Sequence, residues 1–360
     1  MNFRKLTRLK ELFESKDIDA VVIRSEKNLE YFLEVEFETP TALLVIYRDL
    51  TYRLYISKLD YDRVLDSVEN LDRDSVYRLS TNPEDVNEIN YREVYKHSLR
   101  DCKRVGFDNS LGISERLKNL DIEIVDLYND ILKIRSIKDE YEIEIIKKAI
   151  KISEKCLENV LNIVKPGVRE VEISSQLCKI AIEHDSWFAF KPIVASGPNS
   201  AYPHHVTGLR KIENQDVVII DFGVRYRCYC SDITRTIFVG NPPKDFRDTY
   251  LAVLEAHNEG VRNAKDGVRA SEVDKAVRNV LREYGLDKYF IHSTGHGIGI
   301  ECHEPPSISS ISEDVLKSGN IITIEPGVYI KSRYGIRIED DYLIRENSCI
   351  RLTRIPQLLI

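Results

Sequence analysis

The sequence predicts an α+β protein of two domains, and three observations carry that reading. A chain of 360 residues is longer than one ordinary hydrophobic core supports and fits two. Its first part alternates short apolar runs with helical segments, the pattern of an α/β domain. Its second part repeats itself. Lys165-Pro166-Gly167-Val168-Arg169-Glu170-Val171-Glu172 returns 100 positions later as Lys265-Asp266-Gly267-Val268-Arg269-Ala270-Ser271-Glu272, each copy flanked by helical patterns. Ile220-Asp221-Phe222-Gly223-Val224-Arg225-Tyr226 then returns 104 positions later as Ile324-Glu325-Pro326-Gly327-Val328-Tyr329-Ile330. Two repeats in the same order imply a domain of two similar α+β halves.

In the first part, Ala20-Val21-Val22-Ile23, Ala42-Leu43-Leu44-Val45-Ile46-Tyr47 and Tyr52-Arg53-Leu54-Tyr55-Ile56 read as strands, being short runs of β-branched and aromatic residues. Arg104-Val105-Gly106-Phe107 leads into a helix near Ile113–Leu120, and Glu123-Ile124-Val125 follows as another strand. The region holds one histidine, His97, and no cluster of ligand types, so it reads as a scaffold. The character changes near Ile131–Glu140. Ser136-Ile137-Lys138-Asp139 offers capping side chains before an amphipathic helix from about Glu140 to Ile163. The boundary falls at about 133, giving domains 1–132 and 133–360.

Composition removes several functions. The 42% hydrophobic fraction is that of a globular chain. Net charge is −7 and no basic run suits a phosphate backbone, so nucleic acid is not an expected partner. Val217-Val218-Ile219-Ile220, among the longest apolar runs, is far too short to span a bilayer, and Met1-Asn2-Phe3-Arg4-Lys5-Leu6 lacks a signal-peptide core. Seven scattered cysteines without an export signal read as reduced thiols of a cytoplasmic protein.

The repeat has a chemical consequence. Each half presents a β-hairpin with two carboxylates, Asp221 and Asp232 in the first, Glu325 and Glu339 in the second. Pseudo-twofold packing brings all four to the interface of the halves. Crowded there, they repel one another and their pKa values rise unless cations neutralise them. Two divalent ions balance the four charges. An oxygen-rich site with one imidazole suits Mn, Co or Fe better than a thiolate zinc site, and metal pairs ~3.5–4 Å apart recur as a means of activating water.

Histidine placement agrees. His204, His205, His292, His296 and His303 stand beside glycine-rich and proline-rich turns, and Thr294-Gly295-His296-Gly297-Ile298-Gly299 lets backbone approach closely while presenting one imidazole. Alone, Asp221 or Asp232 reads as a solvated hairpin acid. In order with Glu325, Glu339 and His296, they read as a ligand set. Cys228-x-Cys230 has no second pair at ligand spacing and reads as inert thiols, and Gly295-x-Gly297-x-Gly299 lacks the spacing of a dinucleotide loop.

At this point the sequence resembles a family, the creatinase/prolidase group of "pita-bread" metallopeptidases. The matching segments run in family order. They are Ile193-Val194-Ala195-Ser196-Gly197-Pro198-Asn199-Ser200, Pro203-His204-His205, Asp221-Phe222-Gly223, Ser231-Asp232-Ile233-Thr234-Arg235-Thr236, His292 through Gly299, His303-Glu304-Pro305-Pro306, Thr323-Ile324-Glu325-Pro326-Gly327 and Arg337-Ile338-Glu339-Asp340. The resemblance implies a creatinase-like α/β domain before a pita-bread domain, and hydrolysis of Xaa-Pro bonds in short peptides. It implies two metal ions per subunit, Mn2+ or Co2+, with Asp221 chelating one, Asp232 and Glu339 bridging both, and His296 and Glu325 completing the other. Glu325 would also steer the proton of the attacking water. His204, His292 and His303 would line the cleft, with His303 the proton donor, and Arg337 would orient Glu339 or the substrate. His205 is left between cleft and surface.

The resemblance further implies a homodimer in which each N-terminal domain overhangs the partner's cleft. Two departures stand out: Cys228 where relatives usually have glycine, and Ser307 where some prolidases carry an arginine that grips the dipeptide carboxylate. The second argues against strict dipeptide specificity. Methionine aminopeptidase is the alternative within the class, against which the extra N-terminal domain counts. A creatinase-like hydrolase, or a non-enzymatic peptide- or histone-binding relative, would not be expected to keep all five ligands.

Overall fold

The computed structural model describes residues 3–37 and 42–357. Met1 and Asn2, which open the stretch read for an export signal, lie outside them. The chain forms two compact units, Met1–Arg135 and Ser136–Ile360, dividing three residues beyond the boundary read from sequence. Arg135 sets the difference. Its guanidinium donates to Asn28 Oδ1 at 2.9 Å, which keeps the end of the helix Tyr128–Ser136 with the first unit.

The first unit is a seven-stranded sheet of β1 (Ala20–Ile23), β2 (Ala42–Tyr47), β3 (Tyr52–Ser57), β4 (Val76–Ser80), β5 (Glu88–Asn90), β6 (Arg104–Phe107) and β7 (Glu123–Asp126), in the order β5-β4-β3-β2-β1-β6-β7. The β2 strand runs antiparallel to both neighbours, while β3-β4-β5 and β1-β6-β7 pair in parallel. The central strands β1 and β2 are almost wholly buried, which is why they read as uninterrupted apolar runs. Sequence patterning passes over β4 and β5, whose half-exposed residues leave little periodicity.

The second unit opens with the helix Glu140–Leu161. Asp139 caps it, accepting from Glu142 N–H at 2.9 Å, while Glu142 Oε2 accepts from Asp139 N–H at 2.9 Å. The other Glu142 oxygen, Oε1, accepts from Tyr229 O–H at 2.9 Å, so the capping box also anchors a hairpin of the sheet. Asp139→Ala is expected to cost about 1 kcal/mol of stability, read as a shift in the denaturant midpoint.

The repeat is visible in the backbone. The helices Glu170–Glu183 and Ala270–Glu283 have 14 residues each. Gly167 and Gly267 precede them with φ of 93° and 82°, a left-handed conformation that favours glycine. Gly167 N–H donates to Ile212 O at 2.8 Å, and Gly267 N–H to Leu316 O at 2.9 Å. The return bonds, Ile212 N–H to Val168 O and Leu316 N–H to Val268 O, match as well.

The strands β8 (Trp187–Phe188), β9 (Ile193–Ser196), β10 (Val217–Phe222), β11 (Val224–Tyr226), β12 (Tyr229–Cys230) and β13 (Ile233–Phe238) belong to the first half. The second half has β14 (Gly295–Gly297), β15 (Glu304–Ile308), β16 (Ile321–Ile324), β17 (Gly327–Ile330), β18 (Tyr334–Arg337), β19 (Asp340–Arg345) and β20 (Ser348–Arg351). In the first half β10 pairs with β13, and β11 with β12 at its far end; in the second β16 pairs with β19, and β17 with β18.

Cys228 takes its place in the tight turn between β11 and β12. Arg227 and Cys228 have φ of 47° and 70°, yet the register Tyr226↔Tyr229 is kept. A non-glycine residue in that region costs about 1–2 kcal/mol. Among the described residues no helix is long and apolar enough to cross a membrane, and none of the seven cysteines is joined in a disulfide.

Candidate metal centre

The paired hairpins deliver the acids. Asp221 lies one residue before the end of β10, opposite Thr234 on β13. Asp232 lies in the turn entering β13, Glu325 follows β16, and Glu339 sits between β18 and β19. His296 projects from β14, held close by its glycines: a Cβ on Gly295 would run into Thr323 O, and one on Gly297 into Pro305 O.

One ligand atom from each of Asp232, His296 and Glu339 lies within 4.8 Å of the others. Glu325 Oε1 is 3.6 Å and Asp232 Oδ2 3.9 Å from His296 Nε2. Asp221 is held by Arg337, whose Nη2 pairs with its Oδ2. Arg337 Nε donates to Thr234 Oγ1 at 3.1 Å, and Thr234 donates in turn to Glu339 Oε2 at 2.6 Å. Arg337 therefore reaches Asp221 directly and Glu339 only through Thr234.

Burial and mutual repulsion govern the acids of the centre. Burial, then Asp221 and Asp341, pushes Asp232 well above the usual carboxylate range. Burial, then Asp232, does the same to Glu339, and Glu325 is pushed up to about 8, mainly by burial. Asp221 Oδ1 and Asp232 Oδ1 are buried with no hydrogen-bond partner. His296 Nδ1 faces Gly297 O at 3.1 Å; a carbonyl only accepts, so Nδ1 carries the proton and Nε2 presents its lone pair. Burial and His303 lower His296 to about 3, so the ring is neutral. Acceptor-only oxygens beside a neutral imidazole, with buried lone pairs unused, fit hard or borderline divalent cations.

The other histidines separate. His303 is exposed and its ring centre lies 4.2 Å from that of His296. Partial desolvation, opposed by Asp221, lowers its pKa. His292 has both nitrogens engaged: Nδ1 with Ser293 O at 2.7 Å, Nε2 with Tyr329 O–H at 3.1 Å. The Tyr329 oxygen accepts from Arg337 Nη1 at 2.7 Å, which leaves its proton for His292. His204 is exposed and near enough to His292 and His303 to lower the pKa of both. His205 is turned away into structure, its Nε2 2.9 Å from the fully buried Glu170 carboxylate.

Sequence reasoning missed Tyr329, Thr234 and Cys302, the last donating its S–H to Asp232 Oδ2 at 3.1 Å. For Tyr329 the available signal was a break in the repeat, which places it where the first copy has Arg225, and Thr234 stood inside a matching segment without a role of its own. Ser307, on β15 opposite His296, is exposed and spends its N–H on Asp314.

Comparison with known proteins places this geometry. Residues 144–346 match metallopeptidase family M24, and residues 5–137 match the creatinase/prolidase N-terminal domain. The Xaa-Pro dipeptidase of Pyrococcus furiosus is 37% identical over 361 residues, covering 99% of each chain. The prolidase structure from Pyrococcus horikoshii superimposes with a TM-score of 0.88 at 36% identity, covering 99% of this chain and 100% of that one. An X-Pro aminopeptidase structure from Thermotoga maritima gives 0.84 at 31% identity, covering 95% and 97%. With acid-rich paired hairpins in one domain and full-length likeness across both, the chain belongs to metallopeptidase family M24, with a creatinase/prolidase N-terminal domain ahead of the catalytic one.

Proposed function

We propose that this protein is a two-metal peptidase that hydrolyses Xaa-Pro bonds in short peptides, acting as an Xaa-Pro dipeptidase with access for slightly longer substrates. The observation that carries the metal reading is the convergence of Asp232, His296 and Glu339, with buried, unpartnered oxygens on Asp221 and Asp232. Full-length likeness to Xaa-Pro dipeptidases supports the substrate class. Asp221, Asp232, His296, Glu325 and Glu339 would hold two Mn2+ or Co2+ ions, which when bound activate water and polarise the scissile carbonyl.

The protein's own groups do the rest. Glu325 takes the proton of the attacking water, its carboxylate standing 3.6 Å from His296 Nε2. The leaving proline nitrogen was a tertiary amide without N–H and needs a proton as the bond breaks; His303, on the open side of His296, gives it. His204 lines the cleft. Tyr329 and Arg337 fix His292 and Asp221 in place. The enzyme works in the cytoplasm as a homodimer whose N-terminal domains limit substrate length.

Ser307 offers a hydroxyl where an arginine would grip a dipeptide carboxylate, so a free C-terminus one residue past the scissile bond is not required. Metal-stripped enzyme reloaded with Mn2+ or Co2+ is expected to cleave Gly-Pro and Ala-Pro, and Ala-Pro-Ala at a rate within about tenfold of Ala-Pro, tenfold being about 1.4 kcal/mol in the barrier. Failure on every Xaa-Pro peptide would reject the substrate class. Cleavage of dipeptides alone would reject the reading of Ser307.

A further inference from the structure

We infer that the segment Arg354–Gln357 is a clasp that positions the metal ligand Glu339 through Arg235. This inference rests on the metal reading above. Arg235 is fully buried, and its guanidinium spends all five N–H directions. Nε donates to Pro356 O at 2.8 Å. Nη1 donates to Thr234 O at 2.8 Å and to the Glu339 carbonyl at 2.6 Å. Nη2 donates to Asp340 Oδ1 at 2.6 Å and to Ile355 O at 2.9 Å. One side chain thus ties the backbone of a metal ligand to a segment lying outside both repeats.

The register locates this tie. Arg235 pairs with Ile220 on β10, and Asp340 pairs with Ile324 on β16. Ile220 and Ile324 are equivalent positions of the repeat, so Arg235 and Asp340 are equivalent too. Their ion pair joins matching sites of the two halves. An arginine and an aspartate at equivalent positions cannot be satisfied by symmetry alone, and the clasp supplies what is missing. Gln357 Nε2 donates to Asp340 Oδ2 at 2.6 Å. Ile355 O accepts from Arg235 and also from Arg351 at 2.8 Å.

The clasp is itself anchored on both sides. Ile355 N–H donates to Glu154 Oε1 at 2.8 Å, on the helix that precedes the first repeat. Gln357 O accepts from Tyr250 O–H, on the helix Lys244–Asn263 that precedes the second. Metal ligands must be held to about 0.5 Å, and groups behind the ligands typically govern affinity by 10–100-fold. Arg235 reaches Glu339 through its carbonyl and the adjoining Asp340, making it a positioning residue and not a ligand.

The test is titration of metal-stripped, full-length protein with manganese(II) alone, followed by calorimetry. Arg235→Lys, which keeps the charge but not the five-way fork, is expected to weaken binding about 10–100-fold. Gln357→Ala, which leaves Arg235 in place, should weaken it by a smaller factor of at least threefold. Leu177→Ala, which opens a cavity on the helix Glu170–Glu183, should lower the melting temperature with manganese affinity unchanged. That contrast separates positioning from general loss of stability. Wild-type binding with the same affinity in Arg235→Lys or, should that variant not fold, in Gln357→Ala would overturn the clasp. Wild-type protein that bound no manganese would overturn the metal reading, and the clasp with it.

Discussion

His296→Ala is expected to lose its metal and its turnover together, whereas His303→Ala keeps both ions and loses turnover alone. The two residues stand seven positions apart with their ring centres 4.2 Å from one another, but they face different chemistry. His296 is buried, neutral, and aims Nε2 at Asp232 and Glu325. Deleting it removes the imidazole from the group it forms with Asp232 and Glu339. His303 is exposed and lies outside the group of mutually close ligand atoms. As the proton donor to the leaving nitrogen it should be worth about 10²–10⁴-fold in kcat. The deficit should shrink for substrates whose leaving amine is less basic. Metal content and kcat measured on both variants decide the matter: a His303→Ala protein that lacks metal, or turns over Xaa-Pro peptides normally, removes the role assigned to it.

Chelation is the second large effect. Ions that bind only the folded site stabilise it by mass action, by about 4 kcal/mol when the free ion stands 1,000-fold above its Kd. For a unit of this size that is on the order of 10 °C in Tm. The metal-free protein should also show an inverted pH response. Glu325 has its folded pKa raised from 4.5 to about 8, so the folded state holds a proton that the unfolded state releases. That contribution is complete below about 4.5 and is lost as pH rises through about 8. Asp232 and Glu339, raised by burial and mutual repulsion, act in the same direction. Metal binding displaces those protons, so affinity rises with pH and the loaded protein escapes the alkaline loss. Thermal melts across pH 5–9, with and without Mn2+, would expose the difference. A metal-free protein that grew more stable from pH 5 to 8 would contradict it.

Some of this was legible in the sequence and some was not, for physical reasons. The strands β1 and β2 are buried on both faces, and that environment writes itself as an unbroken apolar run. The capping box at Asp139 is local, involving residues three apart, and local chemistry can be read directly. The acids were conspicuous because the repeat placed Asp221 and Glu325 in equivalent settings. The contacts Tyr329 to His292, Thr234 to Glu339 and Arg235 to Pro356 span 37 to 121 positions, and sequence neighbours do not signal such partners. His204 and His205 are neighbours of identical type. Only the buried Glu170 carboxylate, 35 positions from His205, separates the exposed ring of His204 from the one held in structure.

The division of the site between two repeated hairpins also constrains when it can form in the life of the molecule. Asp221 and Asp232 leave the ribosome well before Glu325 and Glu339, at about 5–20 residues per second, so on the order of ten seconds separates the two pairs of acids. During that interval the first hairpin has neither its partner carboxylates nor the His296 imidazole. It can hold an ion only as an exposed pair of acids would, weakly. Acquisition of metal therefore belongs to the finished chain.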